Sequence, residues 1–294
     1  MISTNQKRIF VVVLFFSLFF VSIYVVVFST PKLHAEKLTV VTSFDSPEVT
    51  PTGLAWDGQH LWNADLSRWG KKIYEIDPFT GEVVHYFPSP SRLPKGLAWD
   101  GQYLWCVAID TIRQPPEAKI YQLNASTGEV VHSIDAPGIS TSGLAWDGQY
   151  LWNVDWGERK IFQLNASTGE VVHFINAPSD GIEGLTWDGQ YLWASDPTEE
   201  KIHKLNSFNG RIIYTFESPG RAPWGLAWDG QYLWNSDSSE AKIYKLDVRQ
   251  TPFFCLGTLS ISIIIPVTLI ATKALRGRCK KSTNSPSPFF KKLV

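Results

Sequence analysis

GLAWDGQYLW, the stretch at residues 96–105, occurs five times in this sequence of 294 residues with at most one change in ten. The other copies start at Gly53, Gly143, Gly184 and Gly225, so that successive copies are 43, 47, 41 and 41 residues apart. A repeat of this length made of strand-like segments is typical of one blade of a β-propeller. Ten of the 13 Trp residues belong to these copies, which predicts that their rings fill the spaces between blades.

Each copy contains four segments with strand character. In the second copy, residues 96–99 and 103–107 flank an Asp-Gly pair, which tolerates the positive φ angles of a tight hairpin turn. Residues 119–123 form a third such segment, and residues 129–132 open a fourth after a turn that ends in Gly128. Because the repeats show no helical periodicity, the sequence predicts an all-β fold with four-stranded blades.

The two ends of the repeat region complement each other. The last copy ends with its third strand at residues 242–247, whereas the region begins with an extra strand at residues 38–47. The end of that extra strand, Ser-Phe-Asp-Ser-Pro, matches the fourth-strand segment Thr-Phe-Glu-Ser-Pro at residues 215–219. We expect the N-terminal strand to complete the last blade and close a ring, because closure removes an open sheet edge. Residues 36–250 are thus predicted to form a five-bladed propeller.

Two apolar segments flank the repeats. Residues 9–28 and residues 253–272 are each 20 uncharged residues long, enough to cross a bilayer as a helix. Basic residues precede the first segment and follow the second, which by the positive-inside rule places both outer ends in the cytoplasm. The sequence therefore predicts a membrane helix or signal anchor within residues 1–35, a membrane helix over residues 251–272 and a basic cytoplasmic tail at residues 273–294.

This arrangement predicts that the propeller lies on the extracytoplasmic side of the cell membrane, attached by one or two helices. The number depends on the first segment, which could instead be a signal peptide cleaved after Ala35. Either alternative leaves residues 36–250 outside the cell. Only Cys106 falls within that region, so no disulfide bond can form inside it.

Charge and motifs exclude several classes of function. Ten of the 27 basic residues lie in the flanks, so residues 36–250 carry 17 basic and all 28 acidic residues, a net charge of −11. This balance argues against a nucleic-acid partner, because binding to phosphates requires a basic surface. The sequence contains no glycine-rich phosphate loop, no Cys/His cluster with zinc spacing and no nucleophile elbow. His85, His132 and His173 recur on fourth strands of separate blades, so neither a metal nor a cofactor is predicted.

The residue before each Gly-Leu differs in every copy. It lies near the start of the predicted innermost strand, so the five side chains are expected to surround one mouth of the central channel. The five residues are Thr52, Lys95, Ser142, Glu183 and Trp224. A mixed polar and aromatic lining suits a ligand site. The alternative is neutral variation at exposed positions of the rim.

Two sets of aspartates recur. The Asp of the hairpin turn is present in every copy (Asp57, Asp100, Asp147, Asp188 and Asp229), which favours a structural role in the turn. The second set follows the second-strand Trp by three positions in four copies (Asp65, Asp155, Asp196 and Asp237), while Ala108 replaces the acid in the second. This set is interpreted as capping a loop, with a cation site as the alternative.

Two successive copies carry a more specific pattern. Ile182-Glu183-Gly184-Leu185-Thr186 is followed in the next copy by Pro223-Trp224-Gly225-Leu226-Ala227. Together with the generic repeat over residues 37–247, this resembles the extracytoplasmic propellers of the glutamine cyclotransferase type, which convert an N-terminal glutamine into pyroglutamate and release ammonia.

The resemblance implies roles for three residues. Glu183 would shuttle protons, Trp224 would wall the substrate pocket and Lys95 would stabilise developing negative charge. The sequence departs from the family pattern at residues 140–142, where Ser-Thr-Ser replaces the Phe-Thr-Gln that supplies an aromatic ring and a substrate-holding amide.

Two functions follow from these observations. The near-uniformity of the copies favours a binding module at the cell surface that recognises a peptide, glycan or protein through the propeller mouth. The alternative is an acyltransferase that resembles glutaminyl-peptide cyclotransferase, with Lys95, Glu183 and Trp224 as its active-site residues. The fold by itself does not choose between them, because propellers support many unrelated functions.

Overall fold

A computed structural model describes residues 10–17, 20–27, 36–67 and 71–249 of the chain. Residues 36–67 and 71–249 form the predicted five-bladed β-propeller, in which each blade contains four antiparallel strands; these strands are consecutive in the sequence in blades one to four. The first strand of every blade lines the central channel. The repeat therefore predicted the blade number and the all-β fold correctly.

Two strands precede the propeller. β1 (Phe10–Ser17) and β2 (Phe20–Val27) pair antiparallel, with Phe10 opposite Val27. This differs from the membrane helix predicted over residues 9–28. The segment is dominated by Val, Ile, Phe and Tyr, and β-branched and aromatic residues favour strands, so its composition is compatible with either structure.

The membrane helices belong to the predictions that the described residues leave open. These residues include no helix that is long and apolar enough to cross a membrane. The helix predicted over residues 251–272 and the tail at 273–294 lie outside the described part of the chain.

The N-terminal end of the propeller closes the ring. β3 (Glu36–Lys37) runs parallel to the outer strand of blade four, and β4 (Thr39–Asp45) then pairs with the strand at Lys242–Asp247, with Phe44 opposite Ile243. The pairing of β4 confirms the predicted closure. The two residues of β3 were not predicted, and through them the same short segment joins two neighbouring blades.

The remaining strands follow the repeat. Blade one contains β5 (Pro51–Trp56), β6 (Leu61–Asp65), β7 (Lys72–Ile76) and β8 (Val83–Pro88). Blade two contains β9 (Leu93–Trp99), β10 (Leu104–Asp110), β11 (Glu117–Leu123) and β12 (Val130–Asp135). Blade three contains β13 (Thr141–Trp146), β14 (Leu151–Asp155), β15 (Lys160–Leu164) and β16 (Val171–Asn176). Blade four contains β17 (Gly184–Trp187), β18 (Leu192–Asp196), β19 (Lys201–Leu205) and β20 (Ile212–Glu217). Blade five contains β21 (Pro223–Trp228), β22 (Leu233–Asp237), β23 (Lys242–Asp247) and β4.

The hydrophobic core is divided among the interfaces between blades. Each cluster of buried side chains combines residues of two adjacent blades, and the five clusters together complete the circle. The second Trp of every copy is buried in one of them: Trp62, Trp105, Trp152, Trp193 and Trp234. Burial of such large side chains is the main contribution that holds neighbouring blades together.

The turn aspartate explains why this Trp is present in every copy. In blade one, Asp57 Oδ1 accepts hydrogen bonds from the backbone N–H groups of Gln59 and His60, and Asp57 Oδ2 accepts one from Trp62 Nε1 at 2.8 Å. The same indole bond occurs in the other four blades, at 2.7 to 2.9 Å. The carboxylate thus closes the hairpin and orients the buried ring, which confirms its structural role.

Candidate functional site

The five variable positions line one end of the central channel. Thr52, Lys95, Ser142, Glu183 and Trp224 all border a single cavity there, as their positions in the repeat predicted. Its volume is only about 10 Å³. A cavity of that size holds about one water molecule. A ligand larger than water would therefore rest on the mouth and could not thread through the ring.

The glycine that follows each variable position makes the channel narrow. A Cβ atom built on any of these five glycines would lie under 3.0 Å from the backbone of the next blade. The carbonyl oxygens approached in this way belong to the variable residues themselves, namely Lys95, Ser142, Glu183, Trp224 and Thr52 for Gly53, Gly96, Gly143, Gly184 and Gly225 in turn. The close backbone approach brings side chains from distant parts of the sequence to one opening.

Lys95 and Trp224 meet at this mouth from blades that are not neighbours in the ring. The Lys95 Nζ lies 4.3 Å from the centroid of the Trp224 ring, which is a cation–π contact. Burial lowers the pKa of Lys95, and the negative charge of Glu183 acts in the opposite direction. The Lys95 ammonium is therefore partly desolvated and held beside an aromatic face.

Glu183 has one carboxylate oxygen without a partner. Its Oε2 is buried and makes no hydrogen bond. Burial raises the pKa of Glu183, and the positive charge of Lys95 and a hydrogen bond with Ser142 partly offset that effect. A buried oxygen without a donor is uncommon in folded proteins and marks a position where a ligand could supply one.

The two hydroxyl residues at the mouth have a different role. Thr52 is fully buried, and its Oγ1 lies 3.0 Å from the carbonyl oxygen of Ala64 and 3.2 Å from that of Pro94, so that these two acceptors share its single hydroxyl hydrogen. Ser142 Oγ lies 3.5 Å from the Ile182 carbonyl oxygen. Both hydroxyls connect adjacent blades through the backbone. The mouth thus presents three side chains to a ligand, Lys95, Glu183 and Trp224, while Thr52 contacts the backbone and Ser142 contacts both the backbone and the Glu183 carboxylate.

Two serines that the sequence did not single out hold the backbone of this mouth. Ser195 Oγ donates to the Trp224 carbonyl oxygen at 2.5 Å and accepts from the Gly184 N–H at 2.9 Å. Ser236 Oγ makes the same pair of bonds to the Thr52 carbonyl oxygen and the Gly225 N–H. Only these two copies have Ser at this second-strand position, where the others have Ala or Val. This difference between the copies is the sequence signal from which the two serines could have been predicted.

The opposite end of the channel is lined by a ring of tryptophans. The first Trp of each copy, half-buried, borders a cavity of about 80 Å³ together with neighbouring Leu and Ala residues. These residues are Trp56, Trp99, Trp146, Trp187 and Trp228. The prediction that the repeat tryptophans lie between blades is confirmed for both sets, because the first Trp of each copy also packs against one of the inter-blade clusters while its exposed part borders this cavity.

The second set of aspartates caps loops. Asp155 Oδ2 accepts from the Ser140 N–H at 3.1 Å and Oδ1 from the Glu158 N–H at 2.8 Å, so that one carboxylate joins two loops. Asp65 and Asp237 make equivalent pairs of bonds. His132 and His173 pack edge-on against Trp105 and Trp152, one on each blade.

Comparison with solved structures supports the fold. The glutaminyl cyclase of Myxococcus xanthus superposes with a TM-score of 0.60 at 11% sequence identity, over 74% of this chain and 100% of that one. This chain shares its propeller fold with that enzyme. At such low identity the similarity establishes the fold alone.

Two more distant structures also match. One is a chain of a mitotic checkpoint complex, at 18% identity over 67% of this chain and 63% of that one. The other is the virginiamycin B lyase of Staphylococcus aureus, at 18% identity over 84% of this chain and 93% of that one. Both have TM-scores of 0.43, too low to inform the function. No protein family matches the sequence, and no curated protein matches it significantly.

Proposed function

We propose that this protein is a membrane-attached propeller, displayed outside the cell, that binds the amino-terminal end of a peptide or protein at the channel mouth. The observation that carries the proposal is the buried Oε2 of Glu183, which lacks a hydrogen-bond donor and lies in the same mouth as Lys95 and Trp224. Leaving a buried acceptor unsatisfied is unfavourable by about 1–3 kcal/mol, and a bound amino group would satisfy it.

The three mouth residues match the chemistry of a peptide terminus. A terminal amino group would donate to Glu183, the first carbonyl oxygen would accept from Lys95, and the first side chain would pack against Trp224. The channel beneath is about 10 Å³, so the ligand would be recognised end-on and would not pass through the ring. End-on recognition requires few residues of the ligand and suits a site that presents three side chains to it.

The location outside the cell is also part of the proposal. It is supported by the two apolar segments that flank the repeats, by the basic residues on their outer sides and by the acidic balance of residues 36–250. Attachment at the membrane would hold the mouth close to the cell surface.

One observation favours catalysis at the same site as a second candidate. Burial raises the pKa of Glu183 above the usual value of a carboxyl group, a direction that suits a group that accepts and then returns a proton. In glutaminyl cyclisation, the α-amino nitrogen would bond to the side-chain amide carbon while the bond from that carbon to the amide nitrogen breaks. Glu183 would take a proton from the attacking amine and deliver it to the departing ammonia, with Lys95 opposite the transient oxyanion.

Three synthetic peptides distinguish these functions on the full chain. They share one sequence and begin with a free glutamine, an N-acetylated glutamine or pyroglutamate. Binding is followed by tryptophan fluorescence and turnover by ammonia release, for the wild-type protein, Glu183→Gln and the exposed control Glu170→Gln.

The binding proposal predicts that the free-amino peptide binds at least tenfold more tightly than the acetylated one and that Glu183→Gln abolishes this preference, without ammonia release. Ammonia release that disappears in Glu183→Gln and persists in Glu170→Gln would establish the enzyme instead. Equal binding of the free and acetylated peptides without turnover would contradict both functions.

A further inference from the structure

Blade four differs from the other blades at one position of its third strand. The other copies have an aromatic ring there, at Tyr74, Tyr121, Phe162 and Tyr244, whereas blade four has His203. In blade five, the Tyr244 hydroxyl donates to Glu240 Oε2 at 2.5 Å. Blade four keeps the equivalent acid, Glu199, but has no tyrosine hydroxyl to reach it. The repeat therefore provides an internal reference for what this corner of a blade normally contains.

His203 is a buried polar side chain with an unused nitrogen. It is only 3% exposed, its Nδ1 lies 3.0 Å from Thr215 Oγ1, and its Nε2 has no hydrogen-bond partner. When Nδ1 donates its hydrogen to Thr215, Nε2 carries the lone pair. A histidine that is fixed through one ring nitrogen and free at the other is the usual arrangement of a metal ligand.

Two carboxylates share this corner with the imidazole. One oxygen each of Asp196 and Glu199 and one ring nitrogen of His203 all lie within 4.8 Å of one another. Asp196 is fully buried, and its Oδ1 accepts from the N–H groups of Thr198 at 2.8 Å and Glu199 at 2.9 Å. Its Oδ2 accepts from the Ser179 hydroxyl. These three bonds orient the carboxylate and leave one of its lone-pair sites, on Oδ2, available to an ion.

We propose that Asp196, Glu199 and His203 bind one divalent transition-metal ion of the Zn²⁺ type. One imidazole nitrogen and two carboxylate oxygens form a mixed donor set with two negative charges, and three protein ligands leave a fourth position for water. Zinc holds these ligands at about 2.0–2.2 Å from the ion. The donor atoms, which lie within 4.8 Å of one another, must therefore come to within about 3.5 Å of one another. The exposed Glu199 side chain can make this movement, exchanging its contact with Lys201 Nζ at 3.1 Å for the ion.

A second cluster of similar composition lacks these features. Asp57, His60 and Glu75 also bring their donor atoms within 4.8 Å, but His60 Nδ1 already contacts Glu75 Oε1 at 2.9 Å and Asp57 Oδ2 accepts from Trp62. None of its ring or carboxylate atoms is among the buried atoms without a partner in the described residues. It therefore serves as the control site.

The test is a Zn²⁺ titration of the full chain, stripped of metal with a chelator, by calorimetry and by the visible spectrum of a Co²⁺ substitute. The wild-type protein is expected to bind one ion that survives His60→Ala. His203→Tyr, which recreates the pair found in blade five, should weaken binding at least tenfold and remove the Co²⁺ bands. Glu199→Gln alters an exposed side chain, so it tests the site without threatening the fold and should also weaken binding at least tenfold.

Glu240→Gln, at the equivalent position of blade five, should leave Zn²⁺ affinity unchanged. Absence of Zn²⁺ binding by the wild-type protein, or unchanged affinity in both His203→Tyr and Glu199→Gln, would overturn the proposal. Binding of Mg²⁺ or Ca²⁺ as tightly as Zn²⁺ and insensitive to His203→Tyr would also overturn it, because that result requires carboxylates alone.

Discussion

The two ends of the five inner strands have opposite characters. At one end, every blade has the same Trp, the same Asp-Gly turn and the same indole bond, and the opening is about 80 Å³. At the other end, every blade presents a different side chain, and the cavity is about 10 Å³. The turn end repeats because one hydrogen-bond network must form in each blade. The mouth varies because the glycine backbones of neighbouring blades pack against each other there, and this packing does not require the same side chain at the preceding position of every blade.

The largest effect should come from filling the close approach at the mouth. We expect Gly184→Ala to reduce the free energy of unfolding by about 3 kcal/mol or more, because the new Cβ would collide with the Trp224 carbonyl and push blades four and five apart. The control is Gly189→Ala at the turn end, where a Cβ meets nothing within 4 Å and only the positive φ of 95° is unfavourable. Gly189→Ala should reduce the free energy of unfolding, measured with denaturant, by about 1–2 kcal/mol. If Gly184→Ala and Gly189→Ala reduced the free energy of unfolding equally, the backbone would be packed no more tightly at the mouth than at the turn end.

A smaller loss of stability is expected when the hydrogen bonds of the repeated turn aspartate are removed. Asp147→Ala removes the acceptor of the Tyr150 N–H at 2.7 Å and of Trp152 Nε1 at 2.8 Å, and should cost about 2 kcal/mol of stability. Asp147→Asn keeps an oxygen that accepts from one of these donors, so it should lose less stability than Asp147→Ala. Thermal and denaturant unfolding measure both variants. A loss below about 0.5 kcal/mol in Asp147→Ala would remove the explanation given for the identity of the five turns.

The smallest effect should have the opposite sign and come from the mouth. Burial raises the pKa of Glu183, so its ionised form destabilises the folded protein at neutral pH, and Glu183→Gln should be more stable by up to about 1 kcal/mol. The difference should shrink as the pH falls from the folded pKa through the unfolded pKa of about 4.3, because both states are then protonated.

The turn end supplies the comparison for this pH dependence. Burial raises the pKa of Asp188, but bonds from Lys204, Trp193 and the backbone outweigh it, so the net pKa is lowered. Its stabilising contribution is present above the unfolded pKa near 4 and is lost as the pH falls through the lower folded pKa. Asp188→Asn should therefore be destabilised at neutral pH. If Glu183→Gln and Asp188→Asn both stabilised or both destabilised the protein at pH 7, the contrast between the two ends would be contradicted.

Much of the architecture could be predicted from local patterns. The spacing of the repeat indicates the number of blades, the Asp-Gly pair indicates the hairpin, and the match between residues 38–47 and a fourth strand indicates how the ring closes. The five mouth positions were recognised because the copies differ there. All of these signals depend on residues that are close in sequence or occupy equivalent positions in the repeat.

Other features arise only from contacts between blades. The repeat by itself does not show that Thr52 turns its hydroxyl towards backbone carbonyls while Lys95 reaches across to Trp224, or that β3 joins blade four. Nor does it show that His203 lies beside Asp196 and Glu199 with one nitrogen unused.

The amino-acid sequence alone determined the blade count, the turn chemistry and the set of residues from which a site could be built, because periodicity and hydrogen bonding within one blade are local. The tertiary structure decided which of those residues face the opening and which secure the ring. That outcome depends on how closely the glycine backbones of neighbouring blades approach, which no single repeat encodes.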